Sequence, residues 1–498
     1  MLTTAPTPDG DVSVLDGLES WKTYLWFFYD RVGMLAAMNE RYGKMVVLRE
    51  RIPFRKSTRQ CVIVSGAELN RQVLGDDETY QTGGVIIRGP RGSNLNHLRR
   101  GLITVNGRRH DEQRRLSSPL FMPKVIWKLY PQMVETVRRE LDDWQIGTTV
   151  DVFPRVTRMS MLLSTQNLLA GEDPADGLWL AEATTDIVKR AFRPSVLLFP
   201  FNLPGTPYRK MLRCADELQH RVLAMMDARP RTTADSPRFL DKLFAAHRAD
   251  PERVKREDVA GQIVVMFAAS HETMPKAITW ALFLLTQHPR ILAELCAEIR
   301  AQCGDAPPSF ESLEQMPLLD AVTKETLRLL PPAPVLVRRV RKDAQLGDRE
   351  VHNGDYVLVN AYGTHRDPAV FPHPNQFRPE RWFAPAPNSF AYVPFGAGPR
   401  LCIAKTLGTV AMNLILSMIV QRFSFGLAPH CRIDRSHRVT LEPKHGMPLM
   451  IEPQGREFAA QPVQGNLHQM VDLTRSDATV ESPALRRHAS PAPTRRAA

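Results

Sequence analysis

Cysteine is scarce in this chain: six residues in 498, Cys61, Cys214, Cys296, Cys303, Cys402 and Cys431, with no CxxC pair among them. A disulfide scaffold and a zinc site of paired cysteines are therefore excluded, and a reducing, cytoplasmic location is expected. Long apolar runs are missing as well. The run WKTYLWFFYD is closed by Asp30 and Arg31, and the run from Leu407 to Val420 is shorter than the roughly 20 residues that span a bilayer, so no transmembrane anchor is expected. The first residues, MLTTAPTPDGDVSVLDG, lack the basic start, apolar stretch and small-residue cleavage site of an export signal. Nucleic acid is not an expected partner, because no block of about five basic residues and no nucleic-acid-binding fingerprint occurs. No internal repeat is present, and the 40 prolines and 28 glycines follow no period, which excludes collagen-like and coiled-coil chains.

Hydrophobic residues make up 43% and charged residues 24%, enough for a large core. Length suggests about three domains of roughly 150 residues each, a prior that large single-domain enzymes break. The net charge of +12 is spread thinly: Gly455 to Ala498 holds six Arg against four acids, so +2 lies there. Short strands are expected at 44–49 and 60–65 around a basic turn at 51–58, and again at 334–341 and 356–360. Residues 107–230 follow helical spacing with breaks at Pro123, Pro154 and Pro174. The stretch Asp258 to Gln287 is apolar nearly all round and should run through the interior as one long helix. ESLEQMPLLDAVTKETLRLLPP, 311–332, reads as an amphipathic helix stopped by a double proline. Beyond Pro453 periodicity ends, and 455–498 is expected to be a disordered tail.

The sharpest local pattern is FGAGPRLCIA, Phe395 to Ala404. Cys402 closes a glycine-shaped loop at the start of a helix, where backbone N–H groups and the helix dipole favour a thiolate, a good iron ligand. Taken alone, a small buried cysteine opening a core helix would explain it equally. The pattern resembles the haem-binding loop of the cytochrome P-450 family, Phe-x-x-Gly-x-x-x-Cys-x-Gly, with Ala404 in place of the last glycine. The resemblance extends over about residues 20–453. It implies a mainly α fold with small β-sheets, a triangular helical haem domain over 1–454, with haem b (iron protoporphyrin IX) on Cys402 and Phe395 beside it.

Three further stretches carry the likeness. Glu325 and Arg328 in KETLRLL would be an ordinary surface pair by spacing alone. FRPERW resembles the family's Pro-Glu-Arg-Phe stretch, so Arg381 is expected to join them in a buried structural network. AASHETM, Ala268 to Met274, resembles the family's oxygen-binding stretch, with Glu272 as the acid, Thr273 as the alcohol, and Met274 where a second Thr is usual. Pro275 should open the helix locally, with the Thr273 hydroxyl bonded back toward Ala269 and His271 bonded to water or backbone. NGRRHDEQRRL resembles the helix that binds a haem propionate, mapping to His110 and Arg114; Arg338 and Arg400 match the other propionate contacts. Strand alternation puts only one of Arg338 and Arg339 inward.

The resemblance thus implies a monooxygenase that inserts oxygen from O₂ into an apolar small molecule. A separate ferredoxin or flavodoxin-type donor with its reductase would supply electrons, since the haem domain leaves no room for a fused reductase. LPGTPY, in 194–211, resembles members acting on isoprenoid, steroid-like or retinoid-like molecules, and fatty-acid-like substrates stay open. Two rival readings remain at this level: a haem-thiolate isomerase, dehydratase or peroxygenase needing no donor, against which Glu272-Thr273 speaks, and a haem-free binding protein. VIIRGPRG, 85–92, lacks the strand-to-helix context of a phosphate loop.

Overall fold

The computed structural model describes residues 12–50, 59–83, 89–169, 174–191, 193, 195–196, 199–228, 239–436 and 440–473. The turn at 51–58, part of the 85–92 stretch and residues 474–498 lie outside the described residues.

Helices dominate, and the largest sheet is built from strands far apart in sequence. Its order is Val12–Leu15, Met45–Glu50, Arg59–Val64, Tyr356–Asn360, Val335–Val340, Tyr80–Thr82. The hairpin Met45–Glu50 with Arg59–Val64 is antiparallel, Val47 opposite Val62, and Val62 then faces Val357 in a parallel pairing. Among the described residues there are also two smaller sheets, one of three strands and one of two.

The helix Arg256–Gln287 is 32 residues long and largely apolar because most of its length is packed in the interior. Its first half, through Val259, Ile263 and Phe267, lies in a core shared with Leu180, Met211 and Leu218. Its second half, from Ala277 through Trp280 and Phe283, lies in another core shared with Leu319 and Val322 of the helix Pro317–Leu329 and with Leu414 and Ile415 of the helix Lys405–Arg422. The long helix therefore belongs to two cores that meet along it.

The helix continues through Pro275 as the one long helix expected, the proline removing one N–H without ending it. Two expectations need correction. The amphipathic stretch 311–332 is two helices, Phe310–Glu314 and Pro317–Leu329. Pro317 starts the second, and its orphan N–H groups at Leu318 and Leu319 donate to the Glu298 carboxylate at 3.1 and 3.0 Å. Finally, the stretch from 455 to 473 is not disordered. Leu467, Met470 and Val471 are buried in the core that holds Trp280, Arg366 Nη2 donates to the Met470 carbonyl at 2.9 Å, and Asp472 N donates to Asn375 O at 2.9 Å. Three apolar side chains within five residues anchor it, too few to register as periodicity.

Candidate active site

Between its two cores the long helix is accessible. Val259 to Phe267 are buried and so are Pro275 to Thr286, yet Ala268, Ala269, Ser270, Glu272, Thr273 and Met274 are partly exposed. This partly exposed stretch in the middle of an interior helix lies where the two cores part. Thr273 Oγ1 donates back to Ala269 O at 3.2 Å, as its spacing predicts. His271 is turned the other way: buried, with Nε2 2.7 Å from Thr185 Oγ1, it is joined to the helix Pro174–Ala191 and not to water or backbone alone. Burial pushes its pKa down to about 4.

The helix Lys405–Arg422 packs against the long helix, and the loop before it presents Cys402. Gly398 sits at φ +66°, and a Cβ there would overlap the Leu74 carbonyl, so the loop takes this path only with glycine. Cys402 N donates to Phe395 O at 2.8 Å, closing the loop. Of the six cysteines Cys402 is the exposed one, yet burial pushes its thiol above the ordinary value, with the Ala404 N–H and the charges of Arg114 and Lys405 pulling the other way. Both hold together when the sulfur lies deep in the protein and borders open space. The thiolate expected from helix-start position is thus outweighed by desolvation in the bare loop.

Cations gather on one side of that space. Arg114 Nη1 donates to Leu401 O at 2.9 Å; Arg400 donates to Val105 O at 2.7 Å and Asn106 Oδ1 at 2.8 Å. Arg338 is 7% exposed, forms no ion pair among the described residues, and has its pKa pushed down to about 10 by burial and then by the charge of Arg400. Strand alternation resolves as expected: Arg338 faces Arg400, whereas Arg339 lies by the Tyr356 ring. His110 is buried, its Nδ1 3.2 Å from Asp111 Oδ1, and burial followed by Arg400 lowers its pKa. Arg400 Nε has no hydrogen-bond partner among the described residues and pairs with Asp77 Oδ2 at 3.4 Å. A buried guanidinium without an ion pair, as Arg338 is among the described residues, calls for an anion.

The expected charge network is fully assembled. Arg328 uses all five donors: Nε and Nη2 to Glu325 at 2.9 and 2.8 Å, Nη1 to the His365 and Pro374 carbonyls, and Nη2 also to Gln376 O. Glu325 also accepts from Arg381 Nε at 3.0 Å, Arg378 N at 2.9 Å and Trp382 Nε1 at 2.9 Å. Burial raises the Glu325 pKa, but the arginine charges and hydrogen bonds outweigh it and hold the carboxyl below its usual range.

The family model of cytochrome P450 matches residues 25–450. The chain belongs to the cytochrome P450 family. As such it is a haem-thiolate monooxygenase. It is 29% identical over 401 residues to cyclooctatin synthase of Streptomyces melanosporofaciens, 78% of this chain and 85% of that protein. It is also 29% identical over 373 residues to cyclooctat-9-en-7-ol 5-monooxygenase of the same organism, 73% of this chain and 79% of that one. The fold is shared with a retinoic-acid-bound cyanobacterial CYP120A1, at a TM-score of 0.73 and 24% identity over 86% of this chain and 96% of that chain.

The donor set of this cytochrome P450 fits haem: an accessible thiol in a glycine-shaped loop, and a buried Arg338 with no ion pair among the described residues. Sequence reasoning missed Lys276, whose Nζ lies 2.7 Å from Glu272 Oε2, and the Asn106 and Asp77 supports of Arg400. Only the i,i+4 spacing of Glu272 and Lys276 carried a signal, and that spacing is common on helix surfaces.

Proposed function

We propose that this cytochrome P450 oxidises an apolar, isoprenoid-type small molecule with O₂, around haem b held by Cys402, with electrons from a separate ferredoxin or flavodoxin-type donor and its reductase. The observation that carries this reading is the accessible Glu272-Thr273 pair in a helix otherwise buried along its central length. Bound there, haem would supply the chemistry of O₂ activation, with one oxygen atom going to the substrate and the other to water. Arg338, Arg400, Arg114 and His110 are the groups that would pair with its propionates, and Phe395 would lie against it. Thr273 offers a hydroxyl already tied to the Ala269 carbonyl, so it can order a water there. Glu272, partly exposed, can take a proton and pass it on. Apolar cores on both sides exclude bulk water and suit an apolar substrate.

The substrate class rests on the relatives: one is named for an unsaturated alcohol, and the structural neighbour holds retinoic acid. The exposed apolar residues Phe199, Phe201 and Leu203, in the stretch that resembles isoprenoid-oxidising members, agree with an apolar entrance. The test is a titration of the haem-loaded protein with geranylgeraniol, retinoic acid, testosterone and lauric acid, followed by the shift of the main haem band. Geranylgeraniol or retinoic acid should give the largest shift at the lowest concentration; a shift from lauric acid or testosterone alone would move the substrate class. Full turnover without any donor protein would place the chain with the isomerases, dehydratases or peroxygenases.

A further inference from the structure

The acid and alcohol leave a lysine in the middle of the protein unexplained. Lys276 is 4% exposed and stands one turn after Glu272 on the long helix. Its Nζ lies 2.7 Å from Glu272 Oε2 and 3.0 Å from Glu442 Oε2, and it donates to Thr440 Oγ1. A buried ammonium is tolerated when paired and hydrogen-bonded, and three donors meet three acceptors here. The segment with Thr440 and Glu442 is pinned in place. Trp280 Nε1, one turn farther along the helix, donates to Leu441 O at 3.1 Å, and Leu441 N donates to Pro332 O at 3.0 Å. The side chains of Glu272 and Glu442 each keep 19% exposure while that of Lys276 keeps 5%. The lysine is therefore a closed joint between two carboxylates that each reach open space.

We infer that Lys276 is a positioning residue for Glu272: it holds the Glu272 carboxylate in line with Glu442 between proton deliveries, and Glu442 is the far end of that hydrogen-bonded line. The inference rests on the proton-delivery reading of Glu272. Without the ammonium, two carboxylates would face each other across the gap it fills, and like charges that close repel. Glu272 would swing away and lose its connection to Glu442. The arrangement fixes where the acid waits, and it links the waiting position to a second acid anchored on a different segment.

Lys276→Met keeps the length and apolar stem while removing the charge. The measurement is hydrogen peroxide released per O₂ consumed by the full-length, haem-loaded protein, without added substrate, electrons coming from a plant-type ferredoxin and its reductase. Two electrons and two protons convert O₂ to peroxide, and four of each convert it to two waters, so the peroxide share reads proton supply. In Lys276→Met the peroxide-to-water ratio should rise about tenfold, comparable to losing an outer partner of a metal ligand. Lys276→Arg should restore most of it, with the carbon monoxide band kept in both. The double variant with Glu272→Gln should be no worse than Glu272→Gln alone, because the lysine acts through the acid. Glu442→Gln, partly exposed and milder for folding, should raise the ratio in the same direction. A parental ratio in Lys276→Met or Glu442→Gln while Glu272→Gln is raised, or additive effects in the double variant, overturns the positioning role alone. A parental ratio in Glu272→Gln overturns the proton-delivery reading together with it.

Discussion

Arg328 grips both carboxylate oxygens of Glu325, Nη2 to Oε1 at 2.8 Å and Nε to Oε2 at 2.9 Å, with neither side chain exposed. The pair is satisfied from every side, so it neither wanders nor needs water. Its partners come from the loop Arg378–Trp382 and the carbonyls of 365, 374 and 376, which means the pair staples the helix Pro317–Leu329 to a segment some fifty residues on. Removing one member strands the rest in a dry interior, a loss of about 3–5 kcal/mol. Glu325→Ala should be recovered mainly as haem-free or aggregated protein, measured as haem absorbance per polypeptide. Normal haem content and melting temperature would contradict the staple.

Cys402→Ala should lose the red-shifted carbon monoxide band of the reduced protein and keep the fold. Its side chain packs in none of the hydrophobic cores, so the melting temperature of the haem-free protein should change by less than about 1 kcal/mol equivalent. An unchanged band would remove Cys402 as the iron ligand.

Truncation separates two parts of the C-terminal stretch. Cutting after residue 473 removes residues outside the described structure and should leave the haem spectrum and melting temperature in place. Cutting after 454 also removes Leu467, Met470 and Val471, each at most 2% exposed, from the core. Losses of roughly 2–5 kcal/mol per buried aliphatic side chain predict a protein that melts far lower or fails to accumulate. Equal behaviour of the two truncations would mean that the buried turn is dispensable.

What the sequence discloses and what it hides divide along the same line. FGAGPRLCIA and the long apolar helix are legible because each is a local pattern, a backbone shape that needs glycine and a helix largely apolar along its length. The pairing of Lys276 with Glu442 is not legible, because it joins residues 166 positions apart by number and neither has an unusual neighbour. Trp382 on Glu325 and Asn106 on Arg400 are hidden for the same reason. The tail misleads because burial of three side chains in a single turn leaves no period to detect.

Stability should fall with acid well before the carboxylates titrate. Burial pushes the pKa of His271 down to about 4 and that of His365, burial first and then the Arg328 and Arg366 charges, to about 3, both from 6.5. The folded protein therefore keeps both neutral while the unfolded chain takes up protons from 6.5 downward, so the contribution is present above 6.5 and is lost as the pH falls toward the folded values. From about pH 7 to about pH 5 each histidine should remove about 2 kcal/mol. Glu325, with its folded pKa lowered, adds a further loss only below 4.5. Urea midpoints at the two pH values read the first effect; a flat profile would mean that the histidines are hydrated or charged in the fold.

Thr273→Ala isolates the alcohol from the rest of the site. The substitution removes one hydroxyl whose bond, to Ala269 O at 3.2 Å, lies within the same helix, so neither packing nor the Glu272–Lys276 pair is disturbed and the variant should fold and load haem. What it loses, on the proposed reading, is the hydroxyl that would order water beside the partly exposed stretch between the two cores. Substrate binding, which depends on apolar walls, should keep its concentration dependence in the optical titration, and electrons should still be consumed. Product formed per reduced nicotinamide should drop by about tenfold or more, with peroxide making up the difference, because general acid contributions of this kind are worth about 10²–10⁴ in rate. Glu272→Gln should uncouple in the same direction while leaving the hydroxyl in place. If Thr273→Ala stays fully coupled while Glu272→Gln does not, the ordering water is held by another group in that stretch, and Ser270, whose hydroxyl donates to Phe267 O at 2.8 Å, is the next one to replace.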